Sequence, residues 1–156
     1  MSTPSDSYTE MVQVVLPNDA NPLGFMLGGT VMHLIDIAGA IASFRHARSR
    51  VVTAAVDDLV FLHPVRVGDL IILNARVTCT FHTSLEVEVE VFSEESLTGK
   101  RRMTSRAFLT FVTVDAHGGR VEVPPLLVET DEQRQVCEAA RARREQRLKR
   151  RAEQQM

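Results

Sequence analysis

What this chain lacks narrows it first. No stretch approaches the roughly 18 apolar residues that a membrane-spanning helix needs. The opening residues, Met1-Ser2-Thr3-Pro4-Ser5-Asp6, are polar and carry no apolar signal core. The expectation is therefore a cytoplasmic protein with no membrane partner. Positive charge is not in excess either: 18 Lys and Arg stand against 20 Asp and Glu, a net charge of −2, which argues against a nucleic-acid partner. Cysteine is scarce. Cys79 and Cys137 stand at no metal-ligand spacing from each other or from a histidine, so no metal site is expected and two free thiols are. Repeats and low-complexity linkers are absent.

What is present is organised as a strand, a loop, one helix, several strands and a tail. Met11 to Leu16 is a short apolar strand, closed by a loop rich in turn formers: Pro17, Asn18, Asp19, Asn21, Pro22 and Gly24. A helix from about Gly29 to Ala47 follows. It is apolar on nearly every side, which predicts burial all round, and ends in the basic cluster Arg45-His46-Ala47-Arg48. Strands are expected over Val51 to Leu62, Leu70 to Phe81 and Arg101 to Val114. Leu85 to Val91 alternates apolar residues with Glu86, Glu88 and Glu90, which predicts one buried and one wet face. Long antiparallel strands with a single early helix make this α+β, one sheet laid over one helix. Residues 1–128 form the main domain. Residues 129–156 are a basic helical extension, expected to be exposed, with seven Arg or Lys between 141 and 151.

Asp36 is the residue most in need of explanation. An ionised carboxylate in an apolar helix is costly unless it is bonded or functional. The same helix opens on Gly28 and Gly29, whose amides at a helix start suit developing negative charge. Asn21, in the loop leading into that start, can face the same cavity. These residues supply a carboxylate, an orienting amide and an oxyanion site. His33 shares the helix face of Asp36, but Ser43 lies about 10 Å further along the axis, too far for a direct relay. His33 reads as a packed or interfacial side chain.

The string Asn21-Pro22-Leu23-Gly24-x3-Gly28-Gly29-x2-Met32-x3-Asp36 resembles the signature of hot-dog-fold acyl-CoA thioesterases, in the acyl-CoA hydrolase branch with the YciA-like and brain-type enzymes. Further matches follow in order: Arg50-Val51-Val52-Thr53, Phe61-x2-Pro64-x2-Val67-Gly68-Asp69, Thr83-Ser84-x-Glu86-Val87 and Phe108-x2-Phe111-Val112. The resemblance implies a hot-dog fold: an antiparallel sheet of five to six strands wrapped around a long central helix, plus a C-terminal helix. It implies edge-to-edge dimers joined through residues 52–60, or a hexameric trimer of dimers, with active sites at the dimer interface.

The implied activity is hydrolysis of acyl-CoA to a free acid and CoA. Asp36 would be base or nucleophile, Asn21 its partner, the Gly28 and Gly29 amides the oxyanion donors, and Thr53 a residue entering from the neighbouring subunit. Arg50, His82, Thr83 and Ser84 are the implied substrate-binding residues, His82 standing where the family often has Arg. No cofactor is implied, since CoA belongs to substrate and product. Two alternatives compete: a non-catalytic acyl-CoA-binding module, and an enoyl- or hydroxyacyl-CoA hydratase-dehydratase. Asp19-Ala20-Asn21-Pro22-Leu23-Gly24 resembles the hydratase segment but has Gly24 where those enzymes carry His. The basic tail is expected to pack near the CoA nucleotide and assist its capture.

Overall fold

The computed structural model describes residues 2–155. Strands β1 (Thr9–Val14), β2 (Arg50–Phe61), β3 (Leu70–Thr80), β4 (Ser84–Glu94) and β5 (Arg101–Val114) form a single antiparallel sheet in the order β1-β3-β4-β5-β2. Helix α1 (Pro4–Ser7) is one turn, α2 (Gly28–Ala47) is the central helix and α3 (Asp131–Gln154) closes the chain. This is the α+β hot-dog arrangement, with five strands.

Helix α2 ends where Arg48 turns into the left-handed region at φ 51° and bonds back to the Phe44 carbonyl. Its apolar side, Val31, Leu34, Ile35, Ala38 and Ala42, fills the concave face of the sheet against Leu73, Val87, Val89, Leu109 and Phe111. Gly39 permits the close approach, because a Cβ there would lie 2.9 Å from Cε2 of Phe111. Burial is not all round, however. His33 is exposed, and Asp36, Ile37, Ala40 and Ile41 are half-buried. One sheet curled on one helix covers only part of the helix circumference, so the remaining apolar stripe faces outward.

The outer face of the sheet departs furthest from expectation. Glu86 and Glu88 are not wet: they are 1% and 4% exposed. Arg143 of α3 donates to both oxygens of Glu86 at 2.9 Å, and its guanidinium lies 3.6 Å from the centre of the Phe108 ring. Glu88 accepts from Arg106 and Arg76 on the flanking strands. Burial opposes the Arg143 charge, but the hydrogen bonds and field of Glu86, with Asp58 and Glu88 nearby, hold its pKa above the ordinary arginine range.

Helix α3 therefore crosses the outer face as a belt. It starts on a capping box between Thr130 and Gln133. Cys137 forms a disulfide with Cys79 of β3, where two free thiols were expected. Sequence spacing could not reveal this, because the Cα atoms meet at 4.7 Å across 58 residues only once α3 docks. Further along, Arg147 donates to Asp57 of β2 at 2.8 Å. Arg143 and Arg147 are thus spent on internal carboxylates rather than left free for a substrate phosphate.

Removing one member of a buried pair strands the other charge. Arg143→Ala is expected to lower unfolding free energy by about 3 kcal/mol in urea titration. The double variant Arg143→Met with Glu86→Gln should lose less than half as much, because no charge then remains buried without a partner.

Candidate functional site

The loop before α2 is built on Asn21. Its side-chain oxygen accepts from the backbone N–H of Leu23 at 3.0 Å and of Phe25 at 3.1 Å, and its own N–H donates to the Phe25 carbonyl at 2.8 Å. Gly24 completes the turn at φ 85°, a conformation in which a side chain is strained. The oxygen of the Asn21 amide is thereby committed to structure, and its NH2 makes no hydrogen bond among the described residues.

The loop delivers the chain to the α2 start through Leu27, whose side chain makes no capping bond. Thr30 and Val31 bond back to the Leu27 carbonyl, whereas the amides of Gly28 and Gly29 have no acceptor among the described residues. Both glycines are exposed. The helix start is thus an open pair of N–H donors at the positive end of the dipole.

Two turns further on, Asp36 is half-buried, and the Thr53 hydroxyl of β2 donates to its Oδ1 at 2.6 Å. Thr53 was expected to arrive from a neighbouring subunit. The contact instead forms within one protomer, because β2 follows α2 directly and runs back beside it. At 1.5 Å per residue, Asp36 lies roughly 10 Å along the axis from the Gly29 amide. The carboxylate and the open amides thus stand two turns apart on one helix.

Arg50, Thr83 and Ser84 come together at the far end of the sheet. Arg50 pairs with Val114, Ser84 with Val112, and the Thr83 carbonyl accepts from Thr113. His82 is exposed beside them, its carbonyl accepting from the Val123 amide. Arg48 and Arg50 line an open cleft with Phe44 and Asp115 at this end. His33 lies exposed on the open face of α2, and Ser43 is occupied by a hydrogen bond to the Gly39 carbonyl.

The Thioesterase superfamily model matches residues 23–100. An uncharacterized acyl-CoA thioester hydrolase of Bacillus subtilis, YkhA, is 36% identical over 85% of this chain and 80% of its own length. The chain belongs to the thioesterase superfamily. A solved apo-hexameric acyl-CoA thioesterase superposes on this member with a TM-score of 0.90 at 42% identity, covering 96% of each chain. The acyl-CoA hydrolase of Staphylococcus aureus, solved in complex with butyryl coenzyme A, gives 0.89 at 33% identity over 99% of this chain and 94% of that one. It has also been solved as single alanine variants of an aspartate, a threonine and an asparagine.

Sequence reasoning passed over a second feature of this thioesterase. Phe61, Leu62, Val65 and Ser105 surround a cavity of 260 Å³ beside Gly28. Phe61 was visible only as part of a turn motif, and Ser105 carried no signal, since neither residue is near α2 in sequence. A Cβ at Gly28 would sit 3.7 Å from the Phe61 ring.

The two halves of the Asn21 amide are separable. Asn21→Ala leaves two backbone N–H groups without an acceptor, an expected loss of about 1–2 kcal/mol of stability. Asn21→Asp keeps the accepting oxygen and should melt within about 1 °C of the parent. Thermal denaturation followed by circular dichroism checks both.

Proposed function

We propose that this thioesterase hydrolyses acyl-CoA to a free carboxylic acid and CoA, at a site completed by a second copy of the chain. The observation that carries the reading is the Asp36 carboxylate, hydrogen-bonded to Thr53 of β2 and two turns along α2 from the open Gly28 and Gly29 amides. Strand β2 is an edge strand with Val52, Val56, Val60 and Phe61 exposed, a surface that calls for a partner. Antiparallel self-pairing of β2 about a two-fold axis exchanges its ends. The Phe61 end, where Gly28 sits, then meets the partner's Thr53 end, where Asp36 sits. Each site takes its oxyanion donors and the Asn21 amide from one protomer and its carboxylate from the other.

In this arrangement the thioester oxygen rests on the Gly28 and Gly29 amides. Asp36 takes a proton from water as the hydroxide adds to the carbonyl carbon, or attacks that carbon itself to give an anhydride that water opens. The C–S bond breaks and CoA leaves as thiolate; the proton that water gives up, to Asp36 in the first route or on opening the anhydride in the second, ends on that thiolate. Thr53 holds one Asp36 oxygen and so orients the other. The Asn21 NH2 orients water or carbonyl. Arg50, His82, Thr83 and Ser84 serve CoA, and the reaction draws on no cofactor. Gly24 supplies no acid at the position where the hydratase alternative needs one.

The Staphylococcus aureus variants support the assignment. Their asparagine, aspartate and threonine lie 15 and 17 residues apart, the intervals from Asn21 to Asp36 and from Asp36 to Thr53 here. The hexameric neighbour supports an oligomer, which we read as dimers that assemble further into a trimer of dimers. No helix among the described residues is long and apolar enough to cross a membrane. A cytosolic acyl coenzyme A thioester hydrolase of Homo sapiens, 33% identical over 91% of this chain, supports a cytoplasmic location despite the disulfide; residues 1–128 are read as the thioesterase domain and 129–156 as its helical extension.

Asp36→Asn keeps shape but removes base and nucleophile, so turnover should fall at least about 100-fold with an unchanged melting curve. Mixing decides whether the site is shared. Asp36→Asn and Asn21→Asp chains, each inactive alone, regain about a quarter of parental activity after joint refolding, because each mixed dimer rebuilds one intact site. A self-contained site regains nothing.

A further inference from the structure

We infer that the C-terminal end of α3 is a dimer clasp: it packs antiparallel against the same segment of a second copy, with Leu148 meeting Leu148 at the two-fold axis. The inference rests on the β2 pairing proposed above and carries the shared surface from the edge strand onto the outer face of the sheet.

Helix α3 crosses the sheet nearly at right angles to its strands. Cys137 is fixed over β3 by its disulfide to Cys79, Arg143 over β4 by Glu86, and Arg147 over β2 by Asp57. From Cys137 to Arg147 the helix advances about 15 Å, and from β3 to β2 the sheet spans about 14 Å. Strand β2 is the edge, yet the helix continues to Gln154. Its last two turns therefore project about 10 Å past the sheet, with no strand of their own chain beneath them among the described residues.

Leu148 sits at the root of this overhang, 41% exposed among charged neighbours. It follows Arg144 by one turn and so shares the flank on which Arg144 stacks over the Phe81 ring at 4.9 Å. That flank faces the Val52 end of β2. Phe81 bonds to Ser84, and Ser84 and Val52 both pair with Val112.

Self-pairing about the middle of β2 puts the two-fold axis on the same flank. Asp57, under the helix, is then level with the partner's Ala54, three residues from the partner's Asp57. The two α3 axes run about 10 Å apart, at the packing distance of helices. The strand spacing equals about three residues of helical rise, so Leu148 of one copy lies level with Leu148 of the other. One turn from the axis, Glu145 comes level with the partner's Arg151. Glu145 and Arg151 have no ion pair within their own chain among the described residues, and the contact between them occurs twice by symmetry. This charge complementarity, flanking one leucine, fits a second copy of the same helix.

The test begins with Leu148→Cys. Both native cysteines are bonded to each other, so the variant carries a single thiol. Under mild oxidation with diamide, about half or more of its chains should run as covalent dimer on a non-reducing gel, because facing Cα atoms fall within disulfide reach. Arg150→Cys, on the opposite flank of the helix, should give less than about a tenth. Charge exchange keeps the test should a cysteine variant not fold. Glu145→Arg or Arg151→Glu alone should raise the dimer dissociation constant at least about fivefold, and the two together should return it to within about twofold of the parent, as read by sedimentation velocity on dilution. A dimeric parent whose Leu148→Cys variant stays uncrosslinked, equal crosslinking from both cysteine positions, or charge exchange without recovery overturns the inference. A monomeric parent in light scattering would instead sink the β2 pairing itself, a result distinct from any of these.

Discussion

The packing of α2 into the concave face of the sheet governs everything else in this molecule. Close contact at Gly39 and Phe111 sets the height and tilt of the helix, and from that seating its two ends acquire different neighbours. The N-terminal glycines come to rest by Phe61, and Asp36 by Thr53. The helical rise then holds the Gly28 and Gly29 amides and the Asp36 carboxylate two turns apart. Under the proposed reading each protomer contributes half of a shared site. The exposed apolar edge of β2 and the open stripe of α2 fit that reading, since both are surfaces suited to a partner.

The outer face follows a different logic. Carboxylates at Glu86 and Glu88 on a central strand are expensive to cover, yet α3 covers them. It does so because Arg143 arrives with two donors aimed at one carboxylate and an aromatic face beneath it. The belt also reaches β2 through Arg147 and Asp57, in the strand that carries Thr53. Asp58, next along, holds φ at 53° where the register of β2 against β5 shifts. The basic tail thus tethers the irregular middle of the edge strand, and its charge is structural before it is anything else.

Much of this was legible in the chain. Periodicity distinguished strands from helix, turn formers marked the loop around Asn21, and the order of motifs from Asn21 to Val112 resembled one family. Asp36 announced itself as a carboxylate among apolar neighbours, and the glycine pair as the start of a helix. These are local properties, decided by side-chain type and spacing within one or two elements, and a linear sequence carries them in full.

What the tertiary structure alone decided concerns residues distant in sequence. The period of two that marked Glu86 and Glu88 as one face could not say whether water or another helix would lie on it, because the answer is 57 residues away at Arg143. Cys79 and Cys137 are unrelated until α3 docks. Thr53 meets Asp36 within its own chain because of how β2 turns back along α2, a fact of tilt rather than of motif. The cavity at Ser105 exists only where a helix start and two strand ends fail to fill the space between them. Sequence specifies which groups are present and which face they share; packing of remote elements specifies what they meet.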